Sequence, residues 1–132
     1  MIGDDASNDM TAPPRARSTS DQVEKLAQGT DIIVHSTMHP ILGPDKGSGF
    51  PPPVFYRQSM TTDLGAMAKR VGAKYLMLTH LAPSLGTARH NRWDVPSGPL
   101  IETDYRKAVE ASGFAGATIV GTDLTSLRLP AK

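Results

Sequence analysis

The sequence contains no cysteine. That excludes disulfides and thiolate metal ligands, so any metal held here would rest on His, Asp or Glu. Long apolar runs are missing too: nothing approaches the roughly 20 residues of a membrane helix. The opening stretch, MIGDDASND, is acidic where a secretory leader would be basic and then apolar. The expectation is a soluble, cytoplasmic protein with no membrane partner. An excess of charge is also lacking, with 14 Lys+Arg against 13 Asp+Glu, so bulk electrostatic attraction gives no reason to favour a nucleic-acid partner. No repeat at a solenoid period is visible.

What is present fits one globular domain with a modest core: 132 residues, 39% of them hydrophobic. Met1-Ile2 reads as the tail of an apolar strand. Ser20 precedes DQVEKLAQ, with Val23, Leu26 and Ala27 on one face and Gly29 as a stop, which predicts a short helix. Asp31-Ile32-Ile33-Val34-His35 predicts a buried strand that ends on a histidine. A second helix is expected from a cap at Thr61 or Thr62, through Leu64, Met67, Ala68 and Val71, to Gly72. KYLMLTH, residues 74–80, follows as another buried strand ending on a histidine. Thr103 is expected to cap a third helix through Tyr105, Ala108 and Val109 to Gly113. Residues 117–121 and 127–129 then finish the chain as two short strands.

Between these elements lie two long loops, residues 36–60 and 81–101, both rich in Gly and Pro and neither expected to hold regular structure. Phe50, Phe55 and Tyr56 on the first, and Trp93 and His90 on the second, fit either a lid over a small organic substrate or surface loops packed on the fold. Helices alternating with strands predict an α/β layer whose strand ends converge on one rim. If the strands are parallel, His35 and His80 both face that rim.

Four features could carry chemistry: Gly3-Asp4-Asp5, the pair His35 and His39, His80 in LTHLAP, and Asp123 in GTDL. His35 and His39 stand at the spacing of two ligands on one helix face, but Pro40 argues against a helix there. Asp123 reads as a turn residue. An Asp after a short apolar strand and a His at the end of a later strand both suit zinc or iron.

IGDDASND, LAQGTDIIVHST and RQSMTTDLGAMAKRVGAKYLMLTHLAP, in that order and spacing, resemble the second half of the metallo-β-lactamase fold hydrolases, in particular the ribonuclease Z and arylsulfatase-like branch. The likeness spans roughly residues 2–85, and GTDLTSLRL resembles the family's closing strands. It implies the C-terminal half of an αββα sandwich, one sheet layer with helices on its outer face. It further implies that Asp4 bridges two zinc ions, that His80 ligates the second, and that the reaction is hydrolysis by metal-activated water.

The family's first metal cluster, His-x-His-x-Asp-His, has no counterpart in this sequence. The expectation is therefore half of a hydrolase, through truncation, a gene fragment or a late start, inactive and without tight metal binding on its own. Where ribonuclease Z-like members carry a Glu and a His as a proton-transfer pair, Ser36 and Gln58 stand here, and neither is a general acid at ordinary pH. The expected substrate is a small molecule bearing an ester, lactone, sulfate or phosphodiester, with His35, His39 or His90 as proton-transfer or substrate-contact residues. Ribonuclease Z-like tRNA 3' processing is the alternative, and a non-catalytic α/β interaction module is the second. A missing half would also leave a sheet face open to self-association.

Overall fold

The structure, a computed structural model, describes residues 2–3, 19–122 and 125–130. Six strands and four α-helices are formed there: β1 (Ile2–Gly3), α1 (Asp21–Leu26), β2 (Ile32–Met38), α2 (Pro52–Phe55), α3 (Thr61–Val71), β3 (Tyr75–Ala82), β4 (Arg89–His90), β5 (Trp93–Asp94), α4 (Glu102–Glu110) and β6 (Ala117–Val120). The main sheet has the order β1-β2-β3-β6 and every pairing in it is parallel. Each strand is thus added on the same side as the last. Parallel crossovers are right-handed in almost all proteins, so a sheet that grows in one direction carries all its crossover helices on one face. The apolar cluster shows this layer: Ile33, Leu76, Leu78 and Val120 from the sheet meet Leu64, Met67, Ala68 and Val71 from α3 and Tyr105 and Val109 from α4.

The opposite face follows from the strand period of two. Ile32, Val34, Tyr75, Met77 and Ile119 alternate with the helix-facing residues and are half-buried. None of these five belongs to either apolar cluster of the fold.

The predicted helices are present, with different caps. α3 begins at Thr61, but Thr61 caps nothing. Its buried hydroxyl lies 2.9 Å from the Thr37 hydroxyl and donates to the Met38 carbonyl at 3.1 Å, sewing α3 to the end of β2. Gly72 ends α3 at φ 75°, a left-handed position that glycine fills without penalty. α4 starts at Glu102 rather than after Thr103, because the Asp104 carboxylate reaches back to accept from the Ile101 N–H at 2.8 Å. α1 has only six residues and is too short to persist alone. Buried Ala27 and a two-pronged ion pair, Arg70 Nε and Nη2 to the Glu24 carboxylate at 2.8 Å each, hold it against α3.

Three expectations fail. β2 does not end at His35 but runs on to Met38, because Thr37 is fastened to Thr61 and Met38 pairs with Met60. The two Gly/Pro-rich loops are not free of regular structure. The first contains tight turns at Pro40–Leu42 and Pro44–Lys46 and the helix α2, each entered through proline, whose fixed φ suits a helical first turn. The second contains the β4–β5 hairpin. Residues 127–129 form no strand, and among the described residues β6 is the edge of the sheet.

α3 and α4 approach closely at Gly65, where a Cβ would meet the Ser112 hydroxyl and stand 3.0 Å from the Val109 carbonyl oxygen. Ser112 cannot swing clear without giving up its own bond to that carbonyl. Gly65→Ala is therefore expected to destabilise the protein by about 1–3 kcal/mol despite alanine's better helix propensity, read as a lower urea midpoint at unchanged slope.

Candidate active-site rim

Parallel strands bring their C-terminal ends to one edge, where the loops converge. At that rim β3 is irregular. Ser36 pairs with Thr79 and Thr37 pairs with Leu81, so His80 is an extra residue with no partner across the ladder. Its φ is 43°, which for a residue with a Cβ costs about 1–2 kcal/mol. Strict alternation after Leu76 and Leu78 would send the imidazole into the helix-facing core. The bulge turns it outward instead, and His80 is exposed. A bulge that re-aims one side chain at a sheet rim is a common device at functional sites.

His80 lines a cleft of about 370 Å³ with Leu81, Ser84, Leu85, Gly121 and Thr122. The cleft lies between the ends of β3 and β6. Gly121 lets the backbone beyond β6 approach β3 closely at this edge: its N–H donates to the Leu78 carbonyl at 2.8 Å, and a Cβ would stand 2.7 Å from that same oxygen. The walls mix the apolar Leu81 and Leu85 with the hydroxyls of Ser84 and Thr122, and Thr79 Oγ1 lies 3.4 Å from His80 Nδ1. The arrangement offers one solvent-facing imidazole and flanking hydroxyl groups to a polar ligand with an apolar part.

The other histidines are dispersed. His35 is 1% exposed, on the helix-facing side of β2, with Nδ1 at 2.7 Å from the Ser36 carbonyl. The expectation that it shares the rim with His80 is thus corrected: β2 extends three residues beyond it, and its strand parity aims it inward. His39 follows β2 and packs edge-on against Tyr105, with ring centroids 5.0 Å apart. Burial holds its pKa below the usual value, an effect partly offset by Asp104. His90 sits on the β4–β5 hairpin across from Trp93, 5.6 Å from the Phe50 ring, and burial lowers its pKa too. Asp4 and Asp123 lie outside the described residues. β1 places Gly3 opposite His35, which in turn pairs with Leu78, two residues before His80.

The aromatic loops pack on the fold. Phe50 and Phe55 are buried with Met38 and Leu42 in a second apolar cluster that Trp93 flanks, and Tyr56 alone of the three loop aromatics is exposed. Sequence reasoning missed Ser84, Gly121 and Thr122 as cleft residues. The one available signal was Gly121 directly after the apolar run ATIV, where a close backbone approach is a standard reading.

Among the described residues no group of three or more His, Asp or Glu side chains comes together in a way that could hold a metal ion. Catalytic zinc takes about three protein ligands plus water, so the described residues alone do not fit one. Nor is any helix among them long and apolar enough to cross a membrane.

No protein-family profile matches the sequence. Curated relatives do. The chain is 25% identical over 104 residues to a putative ribonuclease Z of Mycobacterium tuberculosis (strain CDC 1551 / Oshkosh), covering 79% of this chain and 41% of that protein. It is equally 25% identical over 104 residues to the ribonuclease Z of Mycobacterium tuberculosis (strain ATCC 25618 / H37Rv), 33% of whose length is covered. Among solved structures, the metallo-β-lactamase fold protein YhfI from Bacillus subtilis aligns over 80% of this chain and 34% of its own, with a TM-score of 0.51 at 17% identity. Over that span this chain has the metallo-β-lactamase fold, a parallel sheet with helices. It spans about a third to two fifths of the length of the curated relatives it matches.

The bulge makes residue 80 sensitive to side-chain type in a specific order. His80→Gly is expected to be as stable as the parent or up to about 1 kcal/mol more stable, because left-handed strain is relieved at some cost in chain entropy. His80→Val, β-branched at positive φ, is expected to lose about 1–2 kcal/mol. Thermal melts of the three proteins check the ranking.

Proposed function

We propose that this chain contributes one rim of a metal-dependent hydrolase of the metallo-β-lactamase superfamily, acting on an ester, lactone, sulfate or phosphodiester, with zinc as the metal. His80 carries the reading: a bulge turns a strained histidine out of the core and into a rim cleft that mixes hydroxyl and apolar walls. The fold likeness to YhfI and the ribonuclease Z names of the curated relatives support it. In this reading His80 and Asp4 are zinc ligands, and the remaining donors come from beyond the described residues. When bound, zinc lowers the pKa of its water toward roughly 7. The chain's own side chains bind and orient: Ser84 and Thr122 hydrogen-bond polar substrate atoms, and Leu81 and Leu85 hold an apolar portion and exclude water.

A ribonuclease Z-like activity is the second reading, favoured by the names of the relatives. Replacement of the Glu and His expected in that branch by Ser36 and Gln58 weighs toward a small-molecule substrate. A non-catalytic interaction module is what remains if hydrolysis fails.

The test is a chimera in which this chain replaces the matching third of the Mycobacterium tuberculosis ribonuclease Z. The chimera is expected to hydrolyse a chromogenic phosphodiester or ester in a zinc-dependent manner. His80→Ala and Asp4→Ala are each expected to remove most of that activity and Asp123→Ala to leave it. A folded but inactive chimera, or equal activity in all three variants, would overturn the reading. Cleavage of a precursor tRNA in preference to the small substrates would select the second.

Self-association is expected for the chain by itself, through the sheet face bearing Val34, Tyr75, Met77 and Ile119. A parallel sheet is ordinarily covered on both faces. Sedimentation velocity should give a species larger than a monomer, and Met77→Lys should reduce it.

A further inference from the structure

His39 joins three parts of the rim. Its main-chain N–H donates to the Ala82 carbonyl at 2.8 Å, tying the end of β2 to the end of β3. Its Nδ1 accepts from the Ile41 N–H at 3.1 Å and so starts the tight turn Pro40–Leu42. Its Nε2 stands 3.4 Å from the Asp104 carbonyl on α4. The ring packs edge-on against Tyr105, whose hydroxyl donates to the Pro83 carbonyl at 2.6 Å. One imidazole and the ring beside it therefore connect the loop after β2, the loop after β3, and α4.

This geometry fixes the protonation state. A backbone N–H aimed at Nδ1 requires that nitrogen to be an unprotonated acceptor, and a carbonyl facing Nε2 requires the proton there. The neutral ring has a partner at both nitrogens. A second proton on Nδ1 would set N–H against N–H.

We propose that His39 is a pH-sensitive latch: its neutral ring holds the 40–56 segment docked at the end of β2, and its protonation releases that segment. The segment is the part of the fold that this bond can free. Leu42, Phe50 and Phe55 bury themselves in the small cluster with Met38, which shares the partly buried Ile41 with the main core; withdrawing Ile41, Leu42, Phe50 and Phe55 breaks no ladder bond between β2 and β3, so the sheet can stay paired.

The titratable groups facing the ring are Asp104 and Tyr105 of α4. The Asp104 carboxylate already accepts from the Ile101 N–H, and Tyr105 is a phenol pushed further toward its neutral form by burial. From the end of β3 and the loop after it only backbone carbonyls enter, Ala82 accepting from the His39 main-chain N–H and Pro83 from the Tyr105 hydroxyl. Burial outweighs the Asp104 charge, and the net effect lowers the His39 pKa. The sign follows. With the closed-state pKa below the free value of about 6.5, the opened segment takes up a proton that the closed one does not, so closure is complete above that value and is lost as pH falls below it. Opening coupled to one proton grows by up to about tenfold per pH unit between the two pKa values.

The latch is independent of any hydrolytic role, and its test needs only the folded chain. The background is His90→Gln, because His90 also titrates near Phe50 and Trp93. In that background two readouts are followed from about pH 8 to pH 5: hydrogen-exchange protection of the Ile41 amide, and emission of Trp93, which packs 4.9 Å from Phe50. Protection at Ile41 is expected to fall up to about tenfold per pH unit below the free imidazole value, with a matching change in Trp93 emission, while the amides of Leu76 and Leu78 keep their protection. His39→Asn in the same background keeps an acceptor for Ile41 without a titrating group and is expected to abolish the transition. Should that variant not fold, the single-variant titration still decides. Constant Ile41 protection across the range, simultaneous loss at Leu76, an unchanged transition in His39→Asn, or nitrogen shifts showing a proton on Nδ1 at neutral pH would each overturn the proposal.

Discussion

Everything at the rim depends on the pairing between β2 and β3 and on where it breaks. From Ile32–Tyr75 to Ser36–Thr79 the ladder advances one for one, then β3 spends one residue more than β2. Up to that point alternation buries Ile33, His35, Leu76 and Leu78 beneath the helices. Beyond it the same alternation would bury His80. A single unpaired residue inverts that outcome, exposing an imidazole at about 1–2 kcal/mol of backbone strain, which the surrounding pairings absorb.

The helix layer and the strand sequence of the fold were legible in the chain because their signals are periodic. Leu64, Met67, Ala68 and Val71 mark one face of α3, and the apolar runs around Ile33 and Leu76 mark buried strands. The end of β2 was not legible. Ser36-Thr37-Met38 looks like the start of a loop, and what extends the strand is the Thr37–Thr61 hydroxyl contact between residues far apart in sequence. Nor could composition reveal the tight turns of the first loop, where proline acts as a helix starter rather than a breaker.

The four histidines show how little residue type says without environment. His35 fills core volume beside a carbonyl, His39 bridges loops and helix, His80 faces solvent, and His90 pads an aromatic cluster. The spacing of His35 and His39 is already discounted by Pro40, whereas position at a strand end links His35 to His80. That link does not survive once strand parity and the bulge are known. The identity of His80 as the functional candidate was visible beforehand, through the resemblance carried by LTHLAP, but the reason it is accessible was not.

The one-directional growth of the sheet also governs how the chain must assemble. Each parallel ladder joins segments separated by an entire crossover, so no strand pair of the main sheet can nucleate locally and chain closure has to precede the contacts that reward it. The helices and the β4–β5 hairpin are built from neighbouring residues. Pairing β2 with β3 and β3 with β6 each has to close an entire crossover, a barrier set by connectivity rather than by the chemistry of any side chain.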